Sequence, residues 1–356
     1  MSTSYSIIER GGNMEPSFIL ALFQHGYKVR TSTLYHLLKG KRTSSVLLYG
    51  FLYDNLPFFH LFPEITEKQF NDLLASLVKE KLLLQTLDGE VQITESGKQT
   101  IEHDMDHFFW INNYRFGKTD EIIWRLLQFT VQVVSNLSYA NKQYVPLEQS
   151  PLFQRQVKMY IKSMPKAQLI ETVKKEWTQI FSQLTNEEAC FFAQQFSGYQ
   201  KIGKTSFQLI GDQKKTLKGY LLKKEKLHHL LATIYLMPES SFLRQLILPL
   251  FKQNENKSMN ETVLYLKMQL SIEELALKRR VKISTIKDHL MEFALTEEFP
   301  FEQFISNATA EHLKDYKKPY QDWEYRLAKQ SNPELDYFEF RLYQIQKIRA
   351  ERETSE

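Results

Sequence analysis

Residues 271–290 read Ser271-Ile272-Glu273-Glu274-Leu275-Ala276-Leu277-Lys278-Arg279-Arg280-Val281-Lys282-Ile283-Ser284-Thr285-Ile286-Lys287-Asp288-His289-Leu290. Ser271 and Glu274 have the spacing of a capping box, in which each side chain satisfies the other's free backbone amide, so a helix is expected to start there. Ile272, Leu275 and Ala276 share its inward face. A further helix is expected after Ser284 with Ile286, Leu290 and Phe293 inward, and another before both, over Glu261–Leu270, with Val263, Leu266 and Leu270 inward. Helices that cross steeply need a small side chain where their axes come closest, and Ala276 supplies it. The link Arg280-Val281-Lys282-Ile283 is expected to tuck Val281 and Ile283 under the last helix. Three helices in this spacing read as a helix-turn-helix.

The opposite face of the last helix then carries Ser284, Thr285, Lys287, Asp288 and Met291, the surface that would enter a major groove. Free amides at the start of that helix add a place for a phosphate. Ser284, Thr285, Lys287 and Asp288, with Lys282 and Arg280 from the link, are the candidate DNA-binding residues here. Helix-turn-helix links often carry glycine where this chain has Arg280, so a wider turn is expected. Glu273, Glu274, Asp288 and Glu292 favour the competing reading, a three-helix packing or docking element with no nucleic-acid ligand.

Upstream, Lys252–Met259 is a short polar linker and marks the best internal boundary. Residues 16–110 read as helix (Ser32–Leu38), a basic break at Gly40-Lys41-Arg42-Thr43-Ser44, helix (Ser45–Leu56), and a third helix opened by Thr66 and Gln69 as a capping box. The period then shifts from about 3.6 to about 2. Leu82–Leu87 and Glu90–Thr94 flank Asp88-Gly89, a hairpin signal because both turn positions need positive φ. Helix, helix, helix, hairpin is the order of a winged helix, a fold that serves both as a DNA reader and as a protein adaptor.

Residues 111–255 read as a helical bundle, with Trp110, Trp124 and Trp177 at positions expected to be core. The tail from Glu311 is helical, with a stripe of Tyr337, Phe338, Phe340, Leu342 and Tyr343 expected to pack on the body or a partner. The expected fold class is mainly α: a winged-helix-like unit with a small β-hairpin (1–110), a helical middle bundle (111–255), a helix-turn-helix (256–310) and a helical tail (311–356).

The formal charge of +4 is too small for a polycation, so a nucleic-acid surface has to come from local clusters. Residues 28–42 hold Lys28, Arg30, Lys39, Lys41 and Arg42 with no acid, and residues 201–226 are lysine-rich against Asp212 and Glu225. Such lysines neutralise phosphates without reading sequence. Lys39, Lys41, Arg42 and Lys204 join the candidate DNA-binding set. Tyr35, Tyr199 and Tyr220 lie near these lysines, where they are either base-stacking platforms or half-buried core.

Gly198-Tyr199-Gln200-Lys201-Ile202-Gly203-Lys204-Thr205 matches the phosphate-loop pattern letter for letter. A phosphate loop lies between a buried strand and a helix. Here Thr185 and Glu188 cap an amphipathic helix before it, and no apolar run ending in Asp follows to hold magnesium. A loop between helices is the better reading, and no catalytic residue, cofactor or metal is expected. His228 and His229 are adjacent and point to different faces. His103 and His107 share a face, but two histidines without a third placed ligand make a weak metal site. The lone Cys190, in an apolar run, reads as a small buried hydrophobe and fits a reducing cytosol. No apolar run reaches bilayer length, so a cytoplasmic, nucleoid-associated protein without membrane contact is expected, and the sequons at Asn136, Asn260 and Asn307 carry no meaning.

Glu274-Leu275-Ala276 followed by Ser284-Thr285-Ile286-Lys287-Asp288-His289-Leu290 resembles the helix-turn-helix appended to the C-terminus of many RecQ-like helicases and, less closely, the LuxR-type DNA-binding domain. Leu34-Tyr35-His36-Leu37-Leu38-Lys39-Gly40-Lys41-Arg42-Thr43-Ser44 and Gly203-Lys204-Thr205-Ser206-Phe207-Gln208-Leu209 are similar to the Firmicute YpbB proteins, and the match in order and length spans nearly the whole chain. A similar Gly-Lys-Thr stretch recurs in YpbB-like chains, which makes it part of that fold. The resemblance implies a link to a RecQ-type helicase. The expected function is therefore a non-enzymatic DNA-binding accessory protein, with DNA and a RecQ-like helicase as partners in repair or recombination. A helix-turn-helix transcriptional regulator and a helicase-docking adaptor without DNA binding are the alternatives.

Overall fold

Scarce glycine and proline leave long helical runs unbroken, and the chain is mainly α-helical with one small antiparallel sheet. The structure, a computed structural model, describes residues 15–86, 89–101, 109–211 and 216–354. These gather into two compact units: the described residues of His103–Glu255 form one, and Pro16–Glu102 joins Asn256–Glu356 in the other. Where the sequence reads four consecutive segments, the first and the last two share one unit and the middle segment forms its own.

The N-terminal part of the joined unit runs α1 (Pro16–Ala21), β1 (Val29–Arg30), α2 (Thr31–Lys39), α3 (Ser44–Leu52), α4 (Glu67–Lys79), β2 (Leu83–Gln85), β3 (Glu90–Ile93) and α5 (Glu95–Thr100). Thr66 and Gln69 form the capping box expected at the start of α4. β2 and β3 pair antiparallel, with Leu83 opposite Ile93 and Gln85 opposite Val91, and Gly89 has a φ of 74°. Asp88 lies outside the described residues. The sheet gains a third strand: Val29 pairs with Val91, giving the order β1-β3-β2. A two-residue strand is too short to show alternation, so β1 has no signature in the local sequence.

The middle unit runs α6 (Asn113–Phe116), α7 (Asp120–Ser138), α8 (Pro151–Ile161), α9 (Lys166–Gln183), α10 (Asn186–Ala193), α11 (Ser206–Ile210), α12 (Leu217–Leu236) and α13 (Phe242–Phe251). Ile123, Leu127, Trp124, Trp177, Ile180, Leu230 and Leu246 lie in its core. The core also holds charge. Lys224 Nζ donates to Asp120 Oδ2 at 2.6 Å and to Asn113 Oδ1 at 3.0 Å, and His228 Nε2 lies 3.0 Å from the same carboxylate. Burial opposes ionisation of Asp120, yet Lys224 and His228 hold its carboxyl well below the usual range. From α9, the Glu176 carboxylate reaches the first turn of α13 and accepts from the amides of Phe242 and Leu243 at 2.7 and 2.8 Å, which satisfies two orphan donors at that helix's positive end.

Two core assignments need correction. Trp110 is 45% exposed and stacks on His229 at 3.9 Å instead of entering the core. Cys190 is exposed, because Glu188, Phe191 and Phe192 take the inward positions of α10 and the helical period turns residue 190 outward. His103 and His107 lie outside the described residues.

The C-terminal part of the joined unit runs α14 (Lys257–Leu266), α15 (Ile272–Arg279), α16 (Ile283–Thr296), α17 (Asn307–Leu313), α18 (Tyr325–Ser331) and α19 (Tyr337–Glu353). Phe340 and Tyr343 of the aromatic stripe pack with Leu313, Trp323 and Leu335 into a small core. Arg352 near the end of α19 bonds the carbonyl of Phe51 and the carboxylate of Asp54, both at 2.6 Å, and so ties the two ends of the chain together. Among the described residues no helix is long and apolar enough to cross a membrane.

Candidate nucleic-acid interface

The helix-turn-helix is α14, α15 and α16. Ser271 caps α15 in a full capping box with Glu274, and Leu275, Ala276, Ile286 and Leu290 are buried between the helices. Arg280 takes a left-handed conformation at φ 54°, ψ 42°, and the Val281 amide bonds back to the Ala276 carbonyl at 3.1 Å. The sharp turn is thus made without glycine, at a cost of about 1 kcal/mol for a residue with a Cβ. α16 begins at Ile283, two residues earlier than expected, with Lys282 as its N-cap. Ile283 is 44% exposed and Met291 4%, the reverse of the expected placement of both: α16 is packed by α3 and α19 as well as by α14 and α15, so more of its circumference than one face is covered.

Arg279 locks this module, and the sequence reading passed over it. Its guanidinium reaches Glu261 at 2.8 Å, Ser258 at 3.1 Å, the Thr262 hydroxyl and His289 Nδ1 at 3.2 Å, so one buried side chain from α15 grips both α14 and α16. Burial and this cation lower the pKa of His289. The signal was available: Arg279 follows Leu275 and Ala276 by four and three residues, on the same inward face.

The candidate residues divide into open and engaged. Arg280, Lys282, Ser284 and Asp288 are exposed and Thr285 is half-buried. Lys282 is exposed and makes no side-chain cap; the Thr285 amide turns back on the Lys282 carbonyl at 3.0 Å, and the amides of Ile283 and Ser284 lead the helix. Lys287 is engaged: its ammonium bonds Asp336 at 2.9 Å and lies over the Phe338 ring. Against the cost of burial, Lys287 and the first amides of α19 hold the Asp336 carboxyl below its usual range.

From the N-terminal cluster, Lys41 and Lys39 are exposed, although Lys39 Nζ bonds the Ile65 carbonyl at 3.0 Å. Arg42 pairs with Glu292 of α16 at 2.6 Å, and Asn256 bonds the other oxygen of Glu292 at 2.8 Å. The loop after α2 is therefore brought to the helix-turn-helix, but to its far half: Glu292 lies about 13 Å along the axis from Ile283. Lys204 belongs to the other compact unit.

The Gly198–Thr205 stretch is not a phosphate loop in shape. It follows helix α10, and Gly198 and Lys201 close a tight turn on each other's backbone. A Cβ on Gly203 would stand 2.3 Å from the Gln195 carbonyl oxygen, and one on Gly198 would stand 2.3 Å from the Ser135 hydroxyl. The amides of Gly203 and Lys204 are spent on Ser197 and Gln194. Both glycines serve close packing, and the amides that would cradle a phosphate are engaged.

A helix-turn-helix domain model matches residues 258–344, running beyond α16 into the segment that supplies Asp336 and Phe338. The chain is 23% identical over 303 residues to Protein YpbB of Bacillus subtilis (strain 168), a match covering 81% of this chain and 84% of that protein. The expected similarity to YpbB proteins is thus found. No solved structure matches the chain.

Proposed function

We propose that this chain is a non-enzymatic, cytoplasmic and nucleoid-associated DNA-binding protein that assists a RecQ-like DNA helicase in repair or recombination. The observation that carries the DNA contact is the open first turn of α16. There Arg280, Lys282 and Ser284 stand exposed at a helix N-terminus whose reverse face is locked by Ala276, Ile286 and Arg279. A rigid helix start with two free cations offers a phosphate both charge and unpaired amides. Lys41 is a further exposed cation of the same unit, and in this reading Thr285 and Asp288 meet base edges. The helicase part of the reading rests on the resemblance of residues 274–290 to the module carried by RecQ-like helicases.

An adaptor role has one observation in its favour: Leu264 on α14, Met268 in the turn after it and Leu277 on α15 are more than half exposed. One experiment separates the readings. Full-length protein is titrated against random duplex, forked and single-stranded DNA at two salt concentrations, alongside the double variant R280A/K282A. Binding to fork or duplex that falls steeply with salt, with a slope reduced by about 2 in the variant, supports the proposal. Co-purification with the helicase and no DNA binding at low salt supports the adaptor.

A further inference from the structure

The middle unit carries a second feature that the helix-turn-helix does not explain. Tyr139, just past the end of α7, is 65% exposed, and its ring stacks on Tyr199 with centroids 4.4 Å apart and planes 18° from parallel. The stack is built, not loose. The Tyr199 amide donates to the Ser135 hydroxyl at 3.0 Å, the Gly198–Lys201 turn closes behind it, and Gln200 Nε2 donates to the Tyr199 hydroxyl at 3.2 Å. On the other side, the Asn141 side chain bonds Asn136 at 2.7 Å and fixes the turn that carries Tyr139.

The two segments that carry the stack are one-sided in charge. Residues 122–147 and 189–211 contain no Asp or Glu. Exposed Lys142 follows Tyr139 by three residues and exposed Lys201 follows Tyr199 by two, with Lys204 further along the same loop. Of the acids that flank these segments, Glu121 pairs with Lys223 at 2.7 Å, Glu148 lies against Arg125 at 3.9 Å and Glu188 bonds His229 at 2.9 Å. A flat aromatic face held rigid among lysines matches the two parts of a single-stranded polynucleotide: bases that stack on any π-face, and a phosphate backbone that follows positive charge.

We infer that the Tyr139–Tyr199 stack, with Lys142 and Lys201, is a contact for a single-stranded polynucleotide, separate from the helix-turn-helix. One unpaired base stacks on the outer face of Tyr139, and its flanking phosphates lie against the two ammonium groups. Sequence preference is slight, because the contact reads no base edge.

The test uses the full chain and fluorescence anisotropy with labelled oligo(dT) and oligo(rU) of about 16 nucleotides. Tyr139→Ala is expected to weaken single-strand binding about ten-fold, Tyr139→Phe to retain it, and Lys201→Glu to weaken it with a shallower salt dependence. Duplex binding stays unchanged in all three, whereas R280A/K282A lowers duplex binding and spares the single strand. A failure at the helix-turn-helix is thereby told apart from a failure here. The inference is overturned if Tyr139→Ala binds the oligonucleotides as wild type does, if an abasic chain of the same length binds equally well, or if neither oligonucleotide binds.

Discussion

The helix-turn-helix and the Gly198–Thr205 loop both present a motif that can be read letter by letter, and only one of them has the backbone its letters imply. In the first, the capping box, the small residue at the crossing and the inward apolar set are each in place. In the second, the letters are satisfied while the preceding element is a helix and the amides are already bonded. A motif is therefore a statement about local backbone geometry, and its neighbours in sequence decide whether that geometry exists.

The largest expected effect separates the two regions by packing. Leu290→Ala removes a fully buried side chain from the helix-turn-helix and is expected to cost about 3 kcal/mol in denaturant unfolding. Ile202→Ala in the loop, at 93% exposure, should cost less than about 0.5 kcal/mol. Comparable losses at both sites would break the contrast.

Next comes the reason for the loop's glycine. Gly203→Ala forces a Cβ against a backbone carbonyl and is expected to destabilise by about 1–3 kcal/mol. Lys204→Ala is expected to leave stability and any trace of ATP turnover unchanged. ATP hydrolysis abolished by Lys204→Ala would restore the phosphate-loop reading.

A smaller effect concerns charge held in the middle unit. Burial raises the Glu225 carboxyl from 4.5 to about 7, while its Oε1 accepts from the Trp110 amide at 2.8 Å. The folded state thus binds this proton more tightly than the unfolded chain. Its stabilising contribution is full below pH 4.5 and is lost as pH rises through about 7. Glu225→Gln should match wild type at acid pH and exceed it by about 1 kcal/mol at pH 8, after discounting for partial exposure. Thermal melts across pH would show the gap open or fail to open.

The smallest effect tests the turn. Arg280→Gly relieves a left-handed backbone and should stabilise by about 0.5 kcal/mol, offset in part by the freer unfolded chain, while weakening DNA binding through the lost cation.

Helix boundaries were legible where capping chemistry is local: Ser271 with Glu274, Thr66 with Gln69 and Thr185 with Glu188 all form the expected boxes. The start of α16 lies two residues before the expected one, because Lys282 holds the N-cap position without a side-chain bond that the local sequence would reveal, and the burial of Met291 follows from helices packed on a second side of α16. Of the candidate residues, Ser284 and Asp288 were legible as exposed because they lie opposite an apolar set at helical spacing, and Arg280 and Lys282 because they are cations in the short link between two helices. Lys287 and Arg42 were not. Their carboxylate partners lie 49 and 250 residues away, and no local pattern encodes a pairing at that distance.

By itself the sequence determined the helical class, the caps, the helix-turn-helix and the rejection of a nucleotide site, because each follows from hydrogen bonds and side-chain period within a few residues. Tertiary structure alone decided that segments 16–102 and 256–356 build one unit, which cations stay free, and that two tyrosines 60 residues apart form a single stacked surface. Those outcomes depend on long-range packing, where burial selects partners that the local chain cannot specify.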